Sequence, residues 1–253
     1  MARVLVQREM LDLPRQATRS EVEQNLRDIM AANRWLGGTS VVMRHLSHLI
    51  GPNPARQPIR ILDLATGAAD IPIAVAEWAR TSGITVQITA VDANPEVVEF
   101  ARRNARLFPE IRVDRQDVLL PAYRSREFHF VTCSQVLHHL TNEQAVCVLR
   151  AANRLSSQGI VISDLRRRTM CASAAWLGSH LLTNRLSRHD ARISFQNAFT
   201  PREMRELAEK AGFPCWALHL HGPCRLALIV DKRTTACQPE RARRSPAHAP
   251  MLA

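Results

Sequence analysis

Ile61-Leu-Asp-Leu-Ala-Thr-Gly-Ala-Ala-Asp70 is the stretch from which the fold is read. Four residues of apolar-rich, strand-like sequence run into five very small or hydroxylated ones. A helical period then opens at Ile71 and continues to Arg80. That is a strand, a tight turn and a helix, the opening unit of a parallel α/β sheet. The small residues let a ligand approach the backbone closely, and the N-terminus of the following helix offers N–H groups to an anionic portion of it.

The same alternation continues outward. Thr85–Asp92 reads as a second strand, Pro95–Leu107 as a helix, Ile111–Asp114 as a third strand and Phe128–Cys133 as a fourth. A helix is expected over Asn142–Leu155 and a fifth strand over Gly159–Asp164. Trp216–Leu220 and Arg225–Val230 look like a closing antiparallel pair. The expected fold class is therefore α/β: a Rossmann-like, doubly wound, mostly parallel sheet with an antiparallel last strand. Thr200-Pro-Arg-Glu203 predicts a helix with Thr at the N-cap, Pro at N1 and Glu at N3, ending at Gly212.

The flanks differ in character. Residues 1–56 read as a helical cap. Its first helix is expected to start at Ser20, with Glu23 completing a capping box, and to stop at Gly37-Gly38. Thr39 or Ser40 would cap the second. Residues 57–230 form the main domain, within which 166–199 read as a helical insert covering a bound acceptor. Residues 231–253 have almost no apolar period and read as a disordered tail.

Bulk properties exclude several classes. The chain has 253 residues, 46% of them apolar, with no run long enough for a membrane span and no signal-peptide pattern at its start. A cytoplasmic protein, monomeric or homodimeric, is expected. The formal net charge is +11, but Lys210 and Lys232 are the only lysines and the arginines are spread along the chain. With aromatics at 5% and no aromatic-interleaved basic stripe, this argues against a nucleic-acid partner. No two of the six cysteines have C-x-x-C spacing, so no metal site is expected, and disulfides are not expected either.

Three carboxylates fall at successive strand ends. Asp63 closes the first strand, Asp92 the second, and Asp117 follows the third. A carboxylate at the second position suits the hydroxyls of a ribose, and one at the third can accept from an adenine amine. Singly each is as readily a cap or turn former. Their register with three strand ends favours a nucleoside-binding reading.

Taken together these residues resemble the class I S-adenosylmethionine (SAM)-dependent methyltransferases, over about residues 60–230. Ile61–Ala69 is similar to the family's first glycine-rich motif, and Asp92 stands at its ribose position. Val136-Leu-His-His-Leu140 resembles the segment after the fourth strand in small-molecule enzymes of the ubiquinone- and menaquinone-biosynthesis type. Thr200–Phe213 resembles their late helix. The resemblance implies SAM as cofactor, with Asp63, Ala65, Thr66, Gly67, Asp70, Asp92, Ala93, Asp117, Val118 and Ser134 around it. The chain departs from the pattern at Ala65 and Ala69, where the family usually has glycine. Ala disfavours positive φ, so cofactor affinity or the shape of the turn is expected to change.

The family's chemistry is displacement at a methyl carbon, for which the protein supplies alignment and a dry site. A hydroxyl acceptor must also lose its proton. His138 and His139 follow the fourth strand, and Asp164 ends the fifth beside them. Either His139, oriented by Asp164, acts as general base, or the pair packs the turn. Candidate acceptor contacts are Arg34 and Trp35 in the cap, and Arg166, His189 and Asp190 in the insert. The apolar run Ala172–Leu182 suits an acceptor wall, a dimer contact or plain core.

The leading expectation is O-methylation of a small phenolic or polyketide-type acceptor. C-methylation of a quinone-type ring is the nearest alternative. An RNA methyltransferase is favoured by charge alone, and Ser134-Gln-Val-Leu-His-His139 replaces the N/D-P-P-Y/F motif such enzymes usually carry. Ala65 and Ala69 also leave room for a catalytically silent partner protein on the same fold.

Overall fold

The computed structural model describes residues 17–52, 57–171, 173 and 184–234. Seven strands form one sheet in the order β3-β2-β1-β4-β5-β7-β6. These are β1 (Ile59–Leu64), β2 (Val86–Asp92), β3 (Ile111–Arg115), β4 (Phe128–Ser134), β5 (Ser156–Leu165), β6 (Ala217–His221) and β7 (Arg225–Asp231). The first five are parallel. β7 runs antiparallel between β5 and β6. The order reverses at β1, whose neighbours are β2 and β4. That switch point opens a crevice beyond the carboxyl ends of the strands.

The crossover helices are α3 (Asp70–Thr81), α4 (Pro95–Asn104) and α5 (Asn142–Leu155). α4 stops three residues before the expected Leu107, which is exposed beyond the helix. Two helices precede the sheet, α1 (Arg19–Trp35) and α2 (Gly38–Ile50), and two follow β5, α6 (Arg185–Asn197) and α7 (Pro201–Ala211). The buried faces of β1, β4, β5 and β7 pack against α5 and α7 on one side of the sheet and α2 and α3 on the other. β4 and β5 are almost wholly buried, as expected of strands covered on both faces.

Helix signals hold where side chains make the cap. Thr141 and Gln144 form a capping box for α5, and Thr200 and Glu203 form one for α7, which ends at Gly212 in the left-handed region. The start of α1 is corrected. Thr18, not Ser20, is the N-cap, and Glu21, not Glu23, returns the bond. Both pairs have the spacing of a capping box, and the one set two residues earlier wins because Glu23 is taken by Arg19 and Arg103. α2 is corrected as well. Gly37 is its N-cap, at φ 79°, and no side chain caps it.

The expected absence of disulfides is also overturned. Cys171 and Cys224 are bonded, joining the segment after β5 to the β6–β7 turn. Sequence spacing could not show this, because the two residues meet only once β7 lies beside β5. The domain also runs past residue 230. Asp231 completes β7, and the Lys232 ammonium donates to the carbonyls of Asn153 and Ser156. The expected disorder over 235–253 and all but Ser173 of the proposed apolar wall Ala172–Leu182 lie outside the described residues. Among the described residues no helix is long and apolar enough to cross a membrane, and no group of three or more His, Cys, Asp and Glu side chains is placed to hold a metal.

Candidate active site

The turn between β1 and α3 is built on strained alanines. Ala65 has φ 52° and Ala69 has φ 61°, values that L-residues adopt at a cost of roughly 1–2 kcal/mol each. The turn thus keeps a left-handed backbone without the glycines. Thr66 N–H donates to the Val91 carbonyl, tying the turn to β2. Gly67 lies at φ 55°, and a Cβ there would meet nothing within 4 Å, so open space adjoins the turn.

Asp92 stands where β2 ends, half-buried. One of its oxygens accepts from Gly67 N–H at 3.2 Å and the other from Asn94 N–H at 3.0 Å. It therefore draws the first two strand ends together at the rim of the crevice, with Ala93 exposed beside it. Asp117 is exposed after β3 and caps its own turn through Leu119 N–H, while Val118 is buried beneath. Asp63 lies deeper, only 3% exposed, and accepts from the Thr132 hydroxyl at 2.6 Å. Burial pushes its carboxyl up to about 7, against the opposing pull of that hydroxyl and of the Thr66 hydroxyl. Asp63 supports the turn from below and does not face the crevice.

At the end of β4 the Ser134 hydroxyl is buried without a hydrogen-bond partner, and in the turn the buried Thr66 hydroxyl lies against the Asp63 carboxyl. An orphaned polar atom beside an open glycine turn is what a bound polar ligand would satisfy. Together with the acidic residues after β2 and β3, this donor and acceptor set fits a nucleoside with a polar tail, the chemistry of SAM.

The histidine pair is rearranged relative to expectation. Asp164 holds His138, not His139. His138 Nδ1 lies 2.6 Å from Asp164 Oδ1, and the other carboxylate oxygen accepts from His138 N–H at 3.2 Å. The cause is the 3-10 turn Leu137–His139, which buries one imidazole and leaves the next partly exposed. His138 is buried, whereas His139 is half-buried and tilts against it at 4.3 Å between ring centroids.

The cap contributes through Asn33. Its amide donates to Asp70 at 2.9 Å and accepts from the Gln135 amide. Gln135 follows β4 at φ 56°, a strained backbone at the point where the sheet meets the cap. The two cap residues expected to contact an acceptor are exposed. Trp35 is 79% exposed and Arg34 is exposed with it, its guanidinium 5.9 Å from the indole. One helical turn faces Asn33 inward and its successors outward. Burial of Asp70 pushes its carboxyl up, opposed by the Asn33 bond.

The insert reaches the same rim. α6 packs against α1 and the Leu137–His139 turn. Its Asp190 is buried, and the partly exposed His189 lies 3.1 Å from it through Nδ1. Arg166 is fixed by its main chain, donating to the Cys224 carbonyl and bridging to Phe199. Asn33 and Gln135 were not legible as site residues, nor was the reach of Arg225 Nε to the Leu36 carbonyl at the end of α1. An amide in a helical period and an Arg in a strand carry no motif, and the left-handed backbone of Gln135 has no Gly or Asn to signal it.

Comparison with known proteins agrees with this geometry. Residues 61–159 match a family model described as a methyltransferase domain. No curated protein matches the sequence significantly. The fold is similar to human N-acetylserotonin methyltransferase in complex with SAM, at 16% identity and TM-score 0.61, covering 89% of this chain and 63% of that one. It is also similar to a SAM-dependent methyltransferase from Aquifex aeolicus, at 13% identity and TM-score 0.58, covering 85% and 98%. The methyltransferase domain of a citrinin polyketide synthase matches at 15% identity and TM-score 0.53, covering 69% of this chain. This chain spans about half of that structure, 46%.

Proposed function

We propose that this chain is a class I SAM-dependent methyltransferase and that it methylates a small molecule, at a hydroxyl of a phenolic or polyketide-type acceptor. The observation that carries the reading is the rim at the ends of β1, β2 and β4. There Asp92 bridges Gly67 and Asn94 while the buried Ser134 hydroxyl stays unsatisfied. Asp92 would hold the ribose, Asp117 and Val118 the adenine, and Gly67, Thr66 and Asp70 the methionine end. When bound, SAM supplies the electrophilic methyl group. Asn33 and Gln135 would close the cap helix over that end and exclude water.

Proton removal falls to His139 in this reading. His138 is enclosed and committed to Asp164, and it positions its neighbour by ring contact. His189, with Asp190 behind it, lies on the helix packed against this turn and is the other imidazole available to an acceptor.

C-methylation remains the second reading. The citrinin synthase domain and a carbon methyltransferase (TM-score 0.54, 17% identity) share the fold, and an enclosed His138 suits an acceptor that needs no strong base. The RNA reading gains no support. Arg19, Arg80, Arg103, Arg112 and Arg185 are held in ion pairs with carboxylates and do not form an open stripe.

Calorimetric titration with SAM tests the premise. Wild-type protein should bind, and Asp92→Ala should bind at least about tenfold more weakly, the cost of a lost charge-assisted bond. Absence of binding by the wild type would leave a silent scaffold instead.

A further inference from the structure

Arg225 opens β7, opposite Leu165 at the end of β5, and is 6% exposed. Its Nε donates to the Leu36 carbonyl at 3.1 Å. Nη1 is buried with no hydrogen-bond partner. The nearest carboxylates acting on it, Asp164 and Asp70, form no ion pair with it. Asp164 is committed to His138, and Asp70 to Asn33. A buried cation without a paired anion is costly, and native interiors rarely keep one without a use.

A second feature faces the same place. α2 is thirteen residues long and begins at Gly38 with no side-chain cap. Arg225 Nη2 would lie 3.1 Å from a Cβ at Gly38, so the guanidinium rests against the first residue of that helix. The positive end of a helix dipole and a guanidinium repel unless an anion lies between them. The Cys171–Cys224 bond fixes the residue preceding Arg225.

We propose that Arg225 and the N-terminus of α2 form an anion subsite that binds a carboxylate on the methyl acceptor. The inference rests on the methyltransferase reading and sharpens it to acidic acceptors. The acceptor is assigned because the strand order β1-β4-β5-β7 sets Arg225 away from the glycine turn, while its guanidinium reaches Gly38 beside Asn33 and feels Asp70, so the anion would lie next to the methionine end rather than in the turn itself. Its strand lies three places from β1, and Asp164, whose cross-strand partner is the next residue Leu226, acts on the guanidinium. Two terminal nitrogens of one guanidinium suit a carboxylate bidentately.

The test uses the full chain saturated with S-adenosylhomocysteine and four probes: benzoate, 4-hydroxybenzoate, and their neutral counterparts benzamide and phenol. Both carboxylates should bind at least about tenfold more tightly than the neutral probes. Arg225→Met should lose that preference, keep S-adenosylhomocysteine affinity within about threefold, and melt no lower than wild type, since an unpaired buried charge is removed. Arg225→Lys should keep part of the preference, which preserves the test if the Met variant misfolds. Equal binding of benzoate and benzamide, or unchanged carboxylate binding in both variants, overturns the proposal. Loss of S-adenosylhomocysteine binding in Arg225→Met also overturns it, because the anion would then be the cofactor's own carboxylate. Failure of the wild type to bind S-adenosylhomocysteine, with carboxylate preference intact, overturns the methyltransferase reading and leaves the anion subsite standing.

Discussion

His138 and Asp164 form a closed pair behind the ends of β4 and β5, with Nδ1 and Oδ1 2.6 Å apart and both side chains buried. Asp164 also accepts from the backbone N–H groups of His138 and Leu165. Removing it strands three donors in the interior. Asp164→Ala should therefore cost about 3–5 kcal/mol, a loss of roughly 10 °C or more in melting temperature. His139→Ala should cost no more than about 1 kcal/mol. Thermal denaturation of the two variants separates these outcomes.

The two histidines also differ in expected kinetics. With an acceptor in hand, His139→Ala should lower turnover about 10²-fold and flatten its dependence on pH near neutrality. Full turnover with an unchanged pH profile would remove His139 from the chemistry and favour the C-methylation reading.

Asp63 makes stability depend on pH in a defined direction. Its carboxyl is raised from an ordinary value of 3.8 to about 7 by burial. Between those values the folded chain keeps a proton that the unfolded chain has released. Stability contributed at this site is thus full below about pH 4, falls as pH rises to about 7, and is flat beyond. Asp63→Asn lacks this slope, so urea melts should show the variant gaining on wild type by a few kcal/mol between pH 5 and pH 8, on the order of 1.4 per unit. Parallel pH profiles would exclude Asp63 as the source.

The alanines of the glycine-poor turn should respond unequally to restoration. At Ala65 (φ 52°) glycine relieves backbone strain and forfeits a half-buried methyl, so Ala65→Gly should stabilise by about 0.5–1 kcal/mol and tighten SAM binding. Ala69 (φ 61°) is fully buried among Ala90, Val98 and Ala101. There the lost methyl, worth about 0.8 kcal/mol, offsets the relief and Ala69→Gly should be near neutral. Equal gains at both positions would contradict this accounting.

The Cys171–Cys224 bond closes a separation of 53 residues. Chain-entropy reasoning puts its upper contribution at roughly 4 kcal/mol. Reduction should lower the melting temperature measurably, and the double Cys171→Ser, Cys224→Ser variant should melt with the reduced wild type and ignore added reductant.

The sequence by itself determined the alternation of strands and helices, the cofactor turn and the carboxylates at strand ends. Each depends on residues near one another in the chain: a switch in apolar period, a Thr-x-x-Glu cap, an Asp at the last residue of a run. Helix limits followed wherever a side chain made the cap, as at Thr141 and Thr200, and slipped where two candidate caps competed, as at Thr18 and Ser20. Only the tertiary structure decided the partner of Asp164, the inward face of Asn33, the disulfide and the isolation of Arg225. All four join residues 26 to 189 positions apart or rest on a backbone rotation that points one imidazole or amide in and its neighbour out. Such choices arise from competition among groups brought together by the sheet, and local sequence does not encode their outcome. The Asp-Leu-Ala-Thr-Gly turn thus raised the nucleoside reading from sequence, while the orientation of the side chains around it emerged only from the fold.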